Sequence, residues 1–597
     1  MERAITGSPA SPGIVVGPVH LLRWEVPEVV NTIVLDAGIE AEIVRFAGAV
    51  EKSRERLAQV RDRVAASAGQ EEAAIFDVQR TMLEDRELIK AVETLIRQNL
   101  SAEKAFDLVM LEWRQHFARH TQPMVRERVG DLTDLHIRVL TVLMELPDHD
   151  PVEVLKGAGA ILVTHDLTPS LTVQLDRASI AAIATDAGTR TSHVAILARS
   201  LGLPAVVGLR DATARVKSGE IVVLDGSSGQ LLLNPTAAEI DAYRRRAQRE
   251  ARDEAELLRE SVAEAVTEDG QRVTLRANVD LPEEAESAAS SGAEGVGLMR
   301  TEFLVVGRAT MPDEDEQYRA YARVVSAFGG KPVVIRTFDI GGDKLPIGGF
   351  PSEPNPFLGW RAIRMCLDQP ELFKAQLRAL LRAGMHGDVR IMLPLVVSVD
   401  EVRAARALLE EARLELAARG VPHASDLPMG IMVETPAAAV AVDTLVGEVA
   451  FLSVGTNDLV QYTLAVDRGN ANLSSRYTPL HPAVLRLIHR TVEVGTARGV
   501  DVSVCGEMAS QPLMAFALIG LGVRNLSVSP RAVPLVKRIV RSISAAIARE
   551  AAEAAMLSSS AATAEQQLRQ RLHAAVGDAP WLNAGLPGVA STDTIRG

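Results

Sequence analysis

From about residue 263 the chain alternates short apolar, strand-like runs with helical stretches, and eight such runs precede residue 550. They read RVTLRANV, EGVGLM, PVVIRTF, VRIMLPLV, MGIMVET, VAFLSVGT, VDVSVCG and VRNLSVS. Eight strand–helix units over that length match the size and rhythm of a (β/α)8 (TIM) barrel. That fold places its chemistry on loops at the C-terminal ends of the strands, so the residues just after each run become the ones to inspect.

The rest of a 597-residue chain exceeds what one core supports and must form further domains. Residues 1–24 and 149–236 read as strands alternating with helices, whereas 25–148 carry long amphipathic helices, so a helical insert is expected inside a discontinuous α/β domain. Residues 237–262 are densely charged at helical spacing and read as a linker helix. The alanine-rich and then Gly/Pro-bearing tail, 551–597, is expected to be poorly ordered. The whole is a multidomain α/β protein. A formal charge of −13 argues against a general nucleic-acid or membrane-surface binder and is compatible with a basic protein partner. Two cysteines form no disulfide framework, and neither a signal sequence nor a long uninterrupted apolar stretch is seen, so a cytoplasmic location is expected.

Polar residues follow the strand-like runs in a consistent order. Arg300 follows VGLM, Arg336 follows VVI and Glu434 follows IMV. Asn457 and Asp458 follow LSVGT, Arg468 comes shortly after, and Cys505 follows VSV. A lone arginine at a strand end is more often a surface ion pair, but together these supply three guanidinium groups, two carboxylates and a thiol at one rim. Arginines hold phosphate and carboxylate oxygens in bidentate fashion, and two carboxylates completed by substrate oxygens and water commonly hold Mg²⁺. The set suits a small, highly charged phospho-carboxylate. A thiol is too soft for Mg²⁺, so Cys505 needs another task, such as proton transfer, against the alternative of a small buried hydrophobe. Cys366, within the helical WRAIRMCLDQP, reads as core.

A second candidate lies upstream in TDAGTRTSHVAILARSLGLPAVVG, residues 185–208. Thr191 and Ser192 are natural N-cap residues, Ala195, Ile196, Leu197 and Leu201 repeat at helical spacing, and Gly202 with Pro204 ends the helix. His193 therefore lies in a first helical turn, where free N–H groups and the macrodipole favour negative charge. A bare imidazole gains little there, and a phosphorylated one gains much.

Together with ASPGI, GAEGVGLMRTEFL, IRTFDIGGDK, NPFLGWRAIR, MVETPAA, SVGTNDLVQYTLAVDRGN and CGEMA, these segments make the chain to about residue 550 resemble the Enzyme I family of the bacterial phosphoenolpyruvate:sugar phosphotransferase system. The resemblance implies that His193 takes the phosphoryl group of phosphoenolpyruvate. It implies that Arg300, Arg336, Arg468, Asn457 and Asp458 hold the substrate, with Arg361 lining the site. Glu434 and Asp458 would bind Mg²⁺, and Cys505 would protonate the enolate of pyruvate at C3. The phosphoryl group would pass to a histidine of the carrier HPr, docked on the helical insert, where Glu71, Glu72, Glu84 and Asp85 are candidate contacts. A homodimer joined through the barrel is likewise implied.

Two features depart from the family pattern: Gly188-Thr189 replaces the usual Gly-Gly, and the tail is longer. The rival nitrogen-branch paralogue usually carries an N-terminal sensory GAF domain, which is expected to be absent because SPGIVVGPV already starts at residue 11. Pyruvate phosphate dikinase and phosphoenolpyruvate synthase need an ATP-grasp domain that the helical insert cannot supply. A non-catalytic scaffold has no need of the full residue set. His193→Ala is expected to abolish acid-labile, base-stable labelling by phosphoenolpyruvate while leaving the fold intact; full labelling of that variant would remove the assignment.

Overall fold

The computed structural model describes residues 3–22, 24, 26–67, 70–118, 129–146, 159–167, 171, 180–188, 194, 195, 198, 202–305, 311–341, 355–468 and 470–577. His193 lies outside them. The described residues divide into two compact units, those up to 252 and those from 253 to 577.

The first unit is built on an eight-stranded sheet: β1 (Ala4–Thr6), β2 (Ser8–Ser11), β3 (Ile14–Leu22), β4 (Ala160–Thr164), β5 (Ile180–Thr185), β6 (Ala205–Val207), β7 (Ile221–Asp225) and β8 (Gln230–Leu233), in the order β1-β8-β7-β3-β4-β5-β6-β2. β3 and β4 are parallel neighbours, Val19 facing Ile161 and Leu22 facing Thr164, although the helices Ile39–Ser67, Gln70–Leu83, Arg86–Ile96, Ala102–Ala118 and Val129–Leu143 intervene in sequence. These helices enclose their own core around Phe46, Leu57, Phe76, Phe106 and Leu135. Trp24, at the exit from β3, donates its indole N–H to Asp134 at 2.7 Å and lies beneath the Arg138 guanidinium. The sheet carries apolar layers on both faces, and Val194, Ala195 and Ala198, just after His193, are buried helical residues in one of them. Gly188 takes a φ of +101°, a conformation that side-chain-bearing residues rarely adopt.

The helix Ala237–Glu260 continues from one unit into the other. Near its start Glu239 pairs with Arg3 at 3.1 Å, and Arg246 pairs with the buried Asp225 at 2.7 Å. At its end Glu260 pairs with Arg538 at 3.0 Å, and the Lys537 ammonium donates to the carbonyls of Ser261 and Ala263. A cation on the last carbonyls of a helix satisfies acceptors that have no intrahelical partner.

The second unit is a closed barrel of eight parallel strands: β9 (Thr274–Val279), β10 (Val296–Met299), β11 (Val333–Arg336), β12 (Val389–Leu393), β13 (Met429–Val433), β14 (Phe451–Val454), β15 (Asp501–Val504) and β16 (Asn525–Val528). Each falls within one of the eight strand-like runs. Alternate residues face outward to the helices, such as Ile335, Ile391, Ile431, Val433, Val454 and Val504. Leu298, Val334, Met392, Met432, Phe451 and Cys505 make a separate inner cluster. The tail expectation is corrected here: Ala545–Met556 and Ala561–Val576 are helices whose Ala551, Ala552, Ala555, Ala564, Leu568 and Leu572 join the outer core of the barrel. Alanine is the strongest helix former, and its small side chain permits close helix packing, so a composition read as disorder instead makes a buried helical pair. Residues 578–597 lie outside the described residues. Among the described residues no helix is long and apolar enough to cross a membrane.

Candidate active site

The two-residue period of each strand decides what enters the barrel mouth. Val334 faces inward, so Arg336 does too; Met432 brings Glu434, and Ser503 brings Cys505. Arg336, Glu434 and Cys505 are 7%, 2% and 1% exposed. Asp458 enters from the first turn of the helix Thr456–Leu464, which starts directly after β14 and favours a carboxylate through its dipole. Gly455 stands between them. A Cβ there would lie 2.8 Å from Glu434 Oε2 and from the Met432 thioether, so the glycine leaves room for the carboxylate.

The guanidinium groups are held by carboxylates. Arg336 donates to Glu302 and pairs with Asp339 at 3.0 Å. Arg361 pairs with Asp339 at 2.5 Å and with Asp458 at 3.3 Å. Arg300 pairs with Asp280 at 3.0 Å, and Arg468 lies 3.6 Å from Asp458. Asn457 faces Glu507, accepting its backbone N–H at 3.2 Å, while the Tyr477 hydroxyl donates to the Asn457 carbonyl. All the barrel residues singled out from sequence thus sit around this end of the barrel. Sequence reasoning missed Asp339, Glu302 and Asp280, although the first two lie inside the motifs IRTFDIGGDK and GAEGVGLMRTEFL and all three follow strand ends.

Three residues other than glycine in this unit have positive φ among those described, and all three flank the site. Ala362 (φ 56°) follows Arg361, Ala465 (φ 53°) precedes Arg468, and Leu395 (φ 58°) donates its N–H to Glu434 Oε1 at 2.7 Å. Such conformations cost on the order of 1–3 kcal/mol each and persist where the surrounding structure over-determines them.

Burial shifts the acid–base groups. The Cys505 thiol is pushed up to about 11 by desolvation, so it stays protonated at neutral pH and is equipped to give a proton. Cys366 is buried in the outer core, and desolvation raises it too, in agreement with its reading as core. Burial works against the Arg336 charge, but Glu302, Asp339, Glu434 and Asp458 outweigh it and hold the guanidinium above its usual range. Glu434 is pushed up to about 8 by desolvation, reinforced by Asp458 and Asp339 and opposed by Arg336 and Arg361.

A divalent cation fits this arrangement. Among the described residues Asp458 Oδ1 is buried with no hydrogen-bond partner, with Arg468 Nη2 at 3.6 Å, and Glu434 resists ionisation beside it. Among the described residues no three metal-ligating side chains are gathered together, so a cation held here would need further oxygens, such as water, to complete its shell.

On the helical insert, the candidate carrier contacts separate. Glu84 pairs with Arg54, and Asp85 caps the helix Arg86–Ile96 by accepting the Glu87 N–H at 2.8 Å. Glu71 and Glu72 fall in the helix Gln70–Leu83, and their side chains lie outside the described residues. Asp85 lines a hollow of about 510 Å³ with Glu87, Glu112, Trp113, His116 and Phe117, where the Trp113 and Phe117 rings stack 6.4 Å apart. These aromatics were absent from the sequence reading because no periodic signal marks a partly exposed ring.

Glu434 supplies a pH dependence. Its carboxyl is protonated in the metal-free fold up to about pH 8 and ionises near 4.5 when unfolded. This contribution to stability is complete below 4.5 and is lost as pH rises towards 8, a change on the order of a few kcal/mol. Denaturant unfolding in EDTA should therefore show a decline between pH 5 and 8 that Glu434→Gln flattens. The same slope in the variant would place the titration elsewhere.

Three family models match successive stretches of the chain. Residues 254–545 match the PEP-binding domain of PEP-utilising enzymes, residues 6–128 their N-terminal domain, and residues 156–229 their mobile domain. The chain is 41% identical to the phosphoenolpyruvate-protein phosphotransferase of Staphylococcus carnosus over 93% of its own length and 97% of that protein's. It is 42% identical to that of Geobacillus stearothermophilus over 88% and 91% of the two chains, and 39% identical to that of Haemophilus influenzae over 95% and 99%. With this identity sustained along nearly the full length of both chains, the protein belongs to the phosphoenolpyruvate-protein phosphotransferase family.

Proposed function

We propose that this chain catalyses the first step of a sugar phosphotransferase system. It moves the phosphoryl group of phosphoenolpyruvate to Nε2 of His193, releases pyruvate, and passes the group to a histidine of the carrier HPr. The observation that carries this reading is the barrel mouth, where four arginines, two buried carboxylates suited to a cation and a protonated thiol converge.

Arg300, Arg336, Arg361 and Arg468, with Asn457, bind the phosphate and carboxylate oxygens, the guanidinium fork being suited to both. Glu434 and Asp458 hold Mg²⁺, which when bound draws charge from the phosphoryl oxygens. Its need follows from charge. The four guanidinium groups already face four carboxylates (Asp280, Glu302, Asp339 and Asp458), with the Glu434 carboxyl held protonated beside them, so a substrate trianion meets no surplus of positive charge. As the bond from phosphorus to the enol oxygen breaks, a bond to the imidazole nitrogen forms and the enolate of pyruvate remains. Cys505 Sγ gives its proton to C3 of that enolate. The apolar floor of Leu298, Val334, Met392, Met432 and Phe451 excludes water from this transfer.

HPr docks on the helical insert, where acidic side chains and the stacked Trp113 and Phe117 suit a basic partner with an apolar centre. One imidazole cannot contact two phosphoryl partners at once, so the His193 domain must swing between them. The linker helix is held at residues 239–246 and again at 256–263, so the intervening turns, 247–255, carry the hinge. A cross-link fixing the His193 domain against the barrel should leave labelling of His193 intact and stop delivery to HPr; unchanged delivery would exclude the swing.

The assignment is tested by incubating the chain with labelled phosphoenolpyruvate and Mg²⁺ and adding HPr or its nitrogen-branch counterpart in turn. Transfer is expected to HPr, from a cytoplasmic homodimer that sedimentation of the same mixture would detect. Glu434→Gln and Asp458→Asn should each slow labelling by about a hundredfold or more and raise the Mg²⁺ requirement. Unchanged Mg²⁺ dependence in both would move the metal site.

A further inference from the structure

We propose that Asp339 is a positioning residue: it locks Arg336 and Arg361 in one mutual orientation and so presets their donors for the substrate's oxygens. This deepens the function proposed above and rests on it.

The carboxylate bridges the two guanidinium groups. Its Oδ2 lies 3.0 Å from Arg336 Nη1, and its Oδ1 accepts from Arg361 Nη2 at 2.5 Å and Nε at 3.1 Å. All three residues are at most 7% exposed, so water cannot substitute for any of them. The two arginines come from different parts of the chain, Arg336 from the end of β11 and Arg361 from just before the helix Ile363–Asp368. Asp339 is the side chain that joins them.

Its own place is fixed by backbone. The Thr337 N–H donates to the Met392 carbonyl at 3.0 Å, and the Phe338 N–H donates to Gln376 Oε1 at 3.0 Å. Beyond it the Ala362 N–H donates to the Ile340 carbonyl at 3.1 Å, and Gly341 bridges to Arg361 so closely that a Cβ would fall 2.2 Å from the Arg361 Cβ. Asp339 is thus held on both sides while it grips both guanidinium groups.

The donors it leaves free are the informative ones. Asp339 occupies Arg336 Nη1 and Glu302 occupies Nη2, whereas Arg336 Nε is buried with no hydrogen-bond partner among the described residues. On Arg361, Asp339 takes the Nε and Nη2 side, with Asp458 also on Nη2, and among the described residues Nη1 is left with the Tyr462 hydroxyl at 3.4 Å. A buried donor without a partner is costly, and one kept in a site that binds an oxyanion is reserved for it. A purely structural ion bridge makes a different forecast: its removal lowers stability and leaves substrate affinity in the folded protein unchanged.

The test uses the full chain carrying His193→Ala, which binds phosphoenolpyruvate without turnover, with Mg²⁺ present throughout. Affinity is read by calorimetry and stability by the melting temperature. Asp339→Asn keeps volume and an acceptor oxygen but removes the charge. It should weaken phosphoenolpyruvate binding about ten- to a hundredfold in protein that is still folded. Asp339→Glu keeps the charge one methylene out of place and should recover part of the loss. If the asparagine variant does not fold, the glutamate variant decides: weakened binding at an unchanged melting temperature supports the role. Binding within about twofold of the parent in the folded asparagine variant, or in the glutamate variant where the asparagine variant does not fold, would overturn it. A parent that fails to bind phosphoenolpyruvate at all would instead sink the functional reading.

Discussion

The barrel mouth depends on charges being buried only in company. Arg336, Arg361, Asp339, Glu434 and Asp458 are all less than a tenth exposed. An isolated ion in such a place loses far more hydration than packing returns, so each is tolerable only beside opposite charge. The carboxylates win for the arginines, holding their guanidinium groups charged despite burial. For Glu434 the balance goes the other way: desolvation and two neighbouring carboxylates exceed the help of Arg336 and Arg361. The guanidinium charges are therefore already matched by carboxylates, and Glu434 and Asp458 stand where a divalent cation would add positive charge. Positive φ at Ala362, Leu395 and Ala465 is the backbone's share of the same arrangement, since each sits where a charged group has to be aimed.

Around that mouth the strand period sorts chemistry from packing. Outward residues such as Ile335, Val433 and Val504 join the helices, and this layer supplies the stability. Inward residues begin as an apolar floor and end as Arg336, Glu434 and Cys505. The same burial that raises the Cys505 thiol keeps its proton on the sulfur, as the proposed proton transfer requires. The alanine-rich helices Ala545–Met556 and Ala561–Val576 complete the outer layer.

The first unit follows a different logic. Its sheet brings β3 and β4 together across a helical insert with a separate core, so the insert can present a docking surface without disturbing the sheet. Acidic residues there are not equivalent. Glu84 is tied to Arg54 and Asp85 to a helix N-terminus, and only the latter also lines the aromatic hollow.

The eight barrel strands, the strand-end arginines and carboxylates, and the contrast between Cys505 and Cys366 were legible in the chain because they rest on local period and on position relative to a strand end. The reading of His193, from a cap and a helical run, falls outside the described residues. The tail was misread because alanine-rich sequence is compatible both with solvent and with close helix packing, and only a waiting surface chooses between them. Asp339 and Glu302 were visible as letters in quoted motifs but not as partners, since ion pairing joins residues through space. Which carboxylate grips which guanidinium, and which oxygen is left bare for a cation, is decided by barrel closure. Closure brings distant loops within hydrogen-bonding distance and removes the water that would otherwise screen them.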